Sequence, residues 1–97
     1  MKVIVRARAA SDLEQLFQWI AKDNPRAASA MVCRIRDRIN AFELDSLAHM
    51  GRRGFVAGTL ELVEYPYIII YRVDDARREV VVLEVVHRAR NLEERGI

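Results

Sequence analysis

Tyr67-Ile68-Ile69-Ile70-Tyr71-Arg72-Val73 and Glu79-Val80-Val81-Val82-Leu83-Glu84-Val85-Val86-His87, separated by the polar stretch Asp74–Arg78, decide the fold of this chain. The first run is continuously apolar and rich in β-branched residues, as a central strand would be. The polar stretch reads as a turn and the second run as the last strand, so the pair predicts an antiparallel hairpin. Strand side chains alternate between faces. Ile68, Ile70 and Arg72 are therefore expected opposite Tyr67, Ile69, Tyr71 and Val73. Unbroken alternation in the last strand groups Val81, Leu83, Val85 and His87 on one face and Val80, Val82, Glu84 and Val86 on the other. Arg72 and Glu84 are read as a cross-strand pair. Both faces are largely apolar, and a single pair of helices covers only one of them. The other is expected to stay partly open, as partner sites are.

Working outward, Thr59–Val63 alternates and predicts a further strand, with Pro66 at the corner before the hairpin. Asp45–Gly58 lacks periodicity and holds three glycines. It reads as a loop, with Gly51-Arg52-Arg53-Gly54 as a basic turn. Upstream, Ala28, Met31, Val32, Ile35, Ile39 and Phe42 form one apolar stripe at helical spacing. Asn24-Pro25 supplies its start, with Asn24 as N-cap and Pro25 as first helical residue. Leu13, Leu16, Phe17 and Ile20 mark an earlier helix over about Ser11–Lys22, opened by the capping box Ser11-Asp12-Leu13-Glu14. The link between the helices is two or three residues, which predicts an antiparallel helical hairpin. Lys2–Arg6 alternates as a short first strand. Ala89–Arg95 reads as a short helix or a tail. The fold class is α+β: a short N-terminal strand, a two-helix hairpin, then antiparallel strands in a small sheet.

Length and composition fit one domain over residues 1–97. The chain is 52% hydrophobic and 31% charged, ordinary for a globular protein, with a net charge of only +2. That balance does not by itself argue for nucleic acid. Lysine occurs only at Lys2 and Lys22, so the basic groups are almost all arginine. The single cysteine, Cys33, excludes an internal disulfide and falls within a helix pattern. Cys33, His49 and His87 do not have metal-ligand spacing, and no metal or cofactor is expected. No signal peptide or membrane-length apolar run is read, so a cytoplasmic protein without membrane association is expected.

No nucleophile elbow, phosphate loop or paired-carboxylate motif is present. His87 closes an apolar strand face, where a lone histidine is ordinarily a packed or capping residue. It is also followed by Arg88 and Arg90, and a histidine beside arginines is suited to acid–base work on a phosphodiester. Arg52 and Arg53 would add phosphate-neutralising charge, though a solvated loop is the plainer reading. These five residues are the catalytic candidates.

Three segments carry a resemblance: Thr59-Leu60-Glu61-Leu62-Val63, then Tyr65-Pro66-Tyr67-Ile68-Ile69-Ile70-Tyr71-Arg72-Val73, then Val82-Leu83-Glu84-Val85-Val86-His87-Arg88-Ala89-Arg90. Together with Ala10, Asp12-Leu13, Ile20-Ala21 and Asn24-Pro25, they resemble the RelE/ParE superfamily of toxin–antitoxin toxins. The ParE-like branch, often called plasmid stabilisation proteins, is the nearer match. The resemblance implies a toxin of a type II system, held inactive by a cognate antitoxin in a hetero-oligomer. The antitoxin's C-terminal segment would cover the second sheet face, on Ile68, Ile70, Val80, Val82 and Glu84. RelE-like members cleave mRNA in the ribosome, and tend to carry an arginine early in the central strand and a tyrosine or histidine–tyrosine near the C-terminus. Here the first position is Ile68, and no tyrosine follows Tyr71. ParE-like members poison DNA gyrase through a protein–protein contact without chemistry of their own. That role implies a target-binding surface of His87, Arg88, Arg90 and Asn91, with Arg72 and Glu61. Leu60 stands where this branch often has arginine. The expectation is a gyrase-directed toxin, with a RelE-like endoribonuclease or a degenerate, non-toxic binding module as alternatives.

Overall fold

A computed structural model describes residues 1–94, with side chains described as far as Asn91. The chain runs β1 (Lys2–Val5), α1 (Ala7–Ala21), α2 (Pro25–Asn40), a 3-10 turn (Ala41–Glu43), α3 (Asp45–Ala48), β2 (Arg52–Arg53), β3 (Leu60–Glu64), β4 (Tyr67–Asp74), β5 (Glu79–His87) and α4 (Arg88–Glu94). Of the two readings for Ala89–Arg95, a helix or a tail, the helix forms as α4, and Arg95 lies outside the described residues. Five strands form one sheet in the order β1-β5-β4-β3-β2. The expected antiparallel run β3-β4-β5 is its centre. β1 adds to β5 in parallel on one side, and β2 adds to β3 on the other.

The helical hairpin forms as its sequence predicts, except at its start. Asn24 accepts the Ala27 N–H at 3.1 Å and Pro25 opens α2. α1 begins a full turn before the Ser11 capping box, with Arg6 extended and the Ala10 N–H bonded to the Arg6 carbonyl. Ala7-Arg8-Ala9-Ala10 is a run of strong helix formers, and Ala9 is fully buried. Extending the helix thus gains both propensity and core contact. Ser11 is left inside the helix, where its hydroxyl accepts from the Gln15 side chain at 3.2 Å. The expected basic turn at Gly51–Gly54 is also replaced: Arg52 and Arg53 pair with Glu61 and Leu60 as an edge strand.

A bulge resets the faces of β5. Ile70 lies opposite Glu84, but Tyr71 lies opposite Val82, so Leu83 is the extra residue. One inserted residue reverses the alternation on its far side. Val80 and Val82 therefore join Val85, Tyr67, Ile69 and Tyr71 under the helices, and Val81 moves to the face of Glu84 and Val86. The core formed by these residues with Leu13, Leu16, Met31, Ile35, Ile39 and Phe42 lies between the hairpin and this first face. Phe42 stacks on Tyr71 with ring centroids 4.2 Å apart. Two expectations fall with the simple alternation. Val80 and Val82 are fully buried in the core, so they do not belong to an open second face. Arg72 lies opposite Val81, and Glu84 pairs instead with Arg8 of α1 at 3.1 Å.

Candidate interaction surface

The second sheet face consists of Ile4 from β1, Val81, Glu84 and Val86 from β5, Ile68, Ile70 and Arg72 from β4, and Glu61 and Val63 from β3. It is only partly open. Ile68 is 1% and Val81 7% exposed, whereas Ile70, Glu84 and Val86 are half-buried and Arg72 is exposed. Arg52, Glu61, Ile70 and Glu84 are successive cross-strand neighbours and make one transverse row. Ion pairs sit at both ends of that row, Arg52–Glu61 at 3.5 Å and Arg8–Glu84 at 3.1 Å. Of the expected antitoxin-contact residues, Ile70 and Glu84 therefore remain reachable. Ile68 is already covered.

Where β5 outruns β1, the sheet edge is finished by a helix. β1 ends with Val5 opposite Val82, and the Arg6 N–H bonds to the Val82 carbonyl at 3.0 Å. Beyond that point Asp12 of α1 accepts the Val85 N–H at 3.0 Å. Between α1 and this end of β5 lies a cleft of about 660 Å3, whose walls include Arg8, Asp12, Trp19, Tyr67, His87 and Arg90. Trp19 is 69% exposed. Sequence reasoning missed Arg8 and Trp19 as parts of a surface. The i, i+4 pair Arg8–Asp12 is the local signal that was available.

His87 ends β5 and starts α4. Its ring meets Tyr67 edge-on, with centroids 5.4 Å apart. Its Nδ1 accepts the Ala89 N–H at 3.1 Å, as an N-cap side chain does for the second helical residue. That bond requires a ring with a lone pair on Nδ1. The Arg88 N–H donates to the Pro66 carbonyl at 2.8 Å, which ties the helix start to the β3–β4 turn. Arg88 and Arg90 are exposed, while Asn91 is buried. Arg90 lies close enough to act on Tyr67: burial pushes the phenol above its ordinary range, and the Arg90 charge offsets part of that.

The expected residues thus divide. His87, Arg88 and Arg90 come together at the start of α4. Arg72 is exposed in the middle of the sheet. Glu61 is 3% exposed and accepts from the Phe55 N–H and the Arg52 guanidinium. With Asn91 at 6% exposure, these two polar groups are covered and do not offer direct contacts. Arg52 and Arg53 do not meet His87. Three strand spacings across the sheet and three residues along it place them on the order of 17 Å away. Among the described residues, no helix is long and apolar enough to cross a membrane.

The family described as "ParE toxin of type II toxin-antitoxin system, parDE" matches residues 3–92. The chain is 39% identical over 82 residues to a Sinorhizobium fredii protein named "Putative toxin Y4kP", covering 82% of this chain and 80% of that one. Its fold is similar to a chain of a chromosomal ParDE toxin–antitoxin system from P. aeruginosa, with TM-score 0.75 and 21% identity over 90% of this chain and 95% of that one. It is also similar to a chain of the RelBE2 toxin–antitoxin complex of Mycobacterium tuberculosis, with TM-score 0.58 and 29% identity over 90% and 96%. The first of these likenesses bears on the fold alone. With the match spanning nearly the whole domain, the chain belongs to the ParE family of toxins of type II toxin–antitoxin systems.

Proposed function

We propose that this toxin acts in the cytoplasm by protein–protein contact with DNA gyrase, and that a cognate antitoxin neutralises it within a hetero-oligomer. The observation that carries the reading is that the buried Ile68 stands where a RelE-like nuclease has arginine, with Arg52 and Arg53 far from His87. Phosphodiester cleavage requires charge neutralisation and proton transfer at one point. Here His87 uses Nδ1 to cap α4, Arg52 and Arg53 lie at the far edge of the sheet, and the position matching the nuclease arginine is the buried Ile68. Arg88, Arg90 and Arg72 remain as exposed cations suited to a protein or phosphate contact. For the antitoxin, the half-buried Ile70 and Val86 beside Glu84 offer the apolar, partly open face that a covering segment would complete.

The test is supercoiling by purified gyrase in the presence of the purified chain, run beside translation of a defined mRNA on ribosomes. Inhibition with accumulation of cleaved DNA supports the proposal. Cut mRNA with unimpaired gyrase would replace it with the endoribonuclease reading.

A further inference from the structure

The tip between β2 and β3 displays apolar side chains on a tightly bonded backbone. Phe55 and Val56 are 64% and 63% exposed. Beneath them the Gly54 N–H donates to the Thr59 carbonyl at 2.8 Å, and the Thr59 N–H donates to the Val56 carbonyl at 3.1 Å. The Thr59 hydroxyl donates to that same carbonyl at 2.6 Å. The Phe55 N–H donates to the Glu61 carboxylate at 3.1 Å, and Arg52 reaches its other oxygen at 3.5 Å. The turn depends on two glycines. A Cβ at Gly54 would run into the Thr59 side chain, and Gly58 has φ +83°.

Glu61 ties the tip backbone to β3. Burying a carboxylate is costly unless it is bonded and charge-compensated. At 3% exposure, Glu61 directs bonds to the tip backbone and to Arg52. An aliphatic residue at this position would leave the tip with one anchor fewer.

We propose that the Phe55–Val56 tip is a preformed docking knob for a folded protein that offers an apolar pocket rimmed by carboxylates, with Glu61 as the positioning residue of the knob. A rigid presenting backbone reduces the ordering cost of association. Aromatic anchors seated in pockets dominate interface energies. Arg52 and Arg53 flank the knob and are exposed, which sets the sign of the complementary rim. A projecting knob suits a pocket that exists beforehand, hence a folded partner rather than a wrapping segment. Val56 adds aliphatic area that does not stack on bases, so protein is favoured over nucleic acid. The inference rests on the reading that this toxin works by protein contact, with the target as the occupant.

The experiment compares the full-length wild type with Phe55→Ala/Val56→Ser and with Glu61→Gln. It reads growth arrest on induction, inhibition of purified gyrase, affinity for bare duplex DNA, and thermal unfolding. The double variant should unfold within a few degrees of wild type, since both side chains are exposed. It should need about tenfold or more protein for half-inhibition, as loss of an interface anchor implies. Glu61→Gln keeps an acceptor for the Phe55 N–H and removes only the countercharge to Arg52, so its loss should be smaller. Wild-type potency in the double variant overturns the proposal. A loss that follows weaker binding to bare DNA overturns it in favour of nucleic acid. If the wild type arrests growth without affecting gyrase, the gyrase reading fails. The knob is then judged on growth arrest: loss of arrest in the folded double variant supports it, and undiminished arrest overturns it.

Discussion

Asp12 of α1 accepts the backbone N–H of Val85, seventy-three residues away, at 3.0 Å. The bond falls where β1 has run out and β5 continues, so a helix side chain takes the place of the missing strand. It fixes α1 against the open end of the sheet, beside the Arg8–Glu84 pair. The cleft next to His87 depends on that placement.

Asp12→Leu should destabilise the fold by about 1–3 kcal/mol, because it leaves a part-buried N–H without an acceptor. Asp12→Asn retains a carbonyl oxygen at the same reach and should lose less. Urea titrations of the two variants provide the check. Equal midpoints for wild type and Asp12→Leu would remove this bond from the account of how α1 is held.

Tyr71 joins the loop before β2 to the core. Its hydroxyl donates to the Ala48 carbonyl at 2.8 Å and accepts the Gly51 N–H at 3.0 Å. Gly51 is required there, since a Cβ would run into the phenol oxygen. Tyr71→Phe keeps the stacking on Phe42 and strands two backbone groups, a cost of roughly 2–4 kcal/mol. Chemical denaturation should show that loss, and Gly51→Ala should be destabilising as well.

Burial also pushes the Tyr71 phenol above its ordinary value of 10.0, with the Gly51 bond acting in the opposite sense. A raised folded-state value means that the folded chain holds its proton more tightly than the unfolded chain. The associated stability is fully present below about pH 10 and is lost as pH rises through the folded value. Tyr67 is shifted the same way. The unfolding free energy of wild type should therefore fall above pH 10, and Tyr71→Phe should show a shallower fall.

His49 lies away from the candidate surface, between α3 and the β4–β5 turn. Its ring bonds to the Asp45 carbonyl at 2.8 Å and to Asp75 at 3.1 Å. The carbonyl bond is the larger of the causes that raise its pKa above 6.5, and Asp75 adds to it. An NMR titration should give a midpoint above 6.5, and Asp75→Asn should lower it only in part. A return to the ordinary value in that variant would mean the carbonyl bond is not made in solution.

What the sequence made legible was the part decided locally. The Asn24-Pro25 start of α2 and the β4–β5 hairpin each rest on adjacent residues, and both formed as read. The start of α1 was misplaced because the Ser11–Glu14 box is a good local signal that lost to the alanine run and the burial of Ala9. The bulge at Leu83 has no glycine or proline to mark it, and it decided which valines are core. Polar burial was equally hidden. Glu61 and Asn91 look like surface groups in sequence, and nothing near Glu61 announces that the Phe55 N–H will need its carboxylate.

The role of His87 separates contact from catalysis. Its Nδ1 caps α4 through the Ala89 N–H, so the imidazole serves first as an acceptor at a helix start. His87→Ala removes that cap, which typically costs about 1 kcal/mol, and should lower toxicity several-fold by loosening the helix that carries Arg88 and Arg90. Asn is among the best N-cap residues, so His87→Asn should recover most of that loss, although it gives up the ring contact with Tyr67. A catalytic imidazole would show the opposite pattern, since asparagine transfers no proton in the physiological range. Growth arrest measured for wild type, His87→Ala and His87→Asn at matched expression decides between them. Recovery by asparagine places His87 in the scaffold of the contact surface, and equal loss in both variants restores it as an acid–base residue.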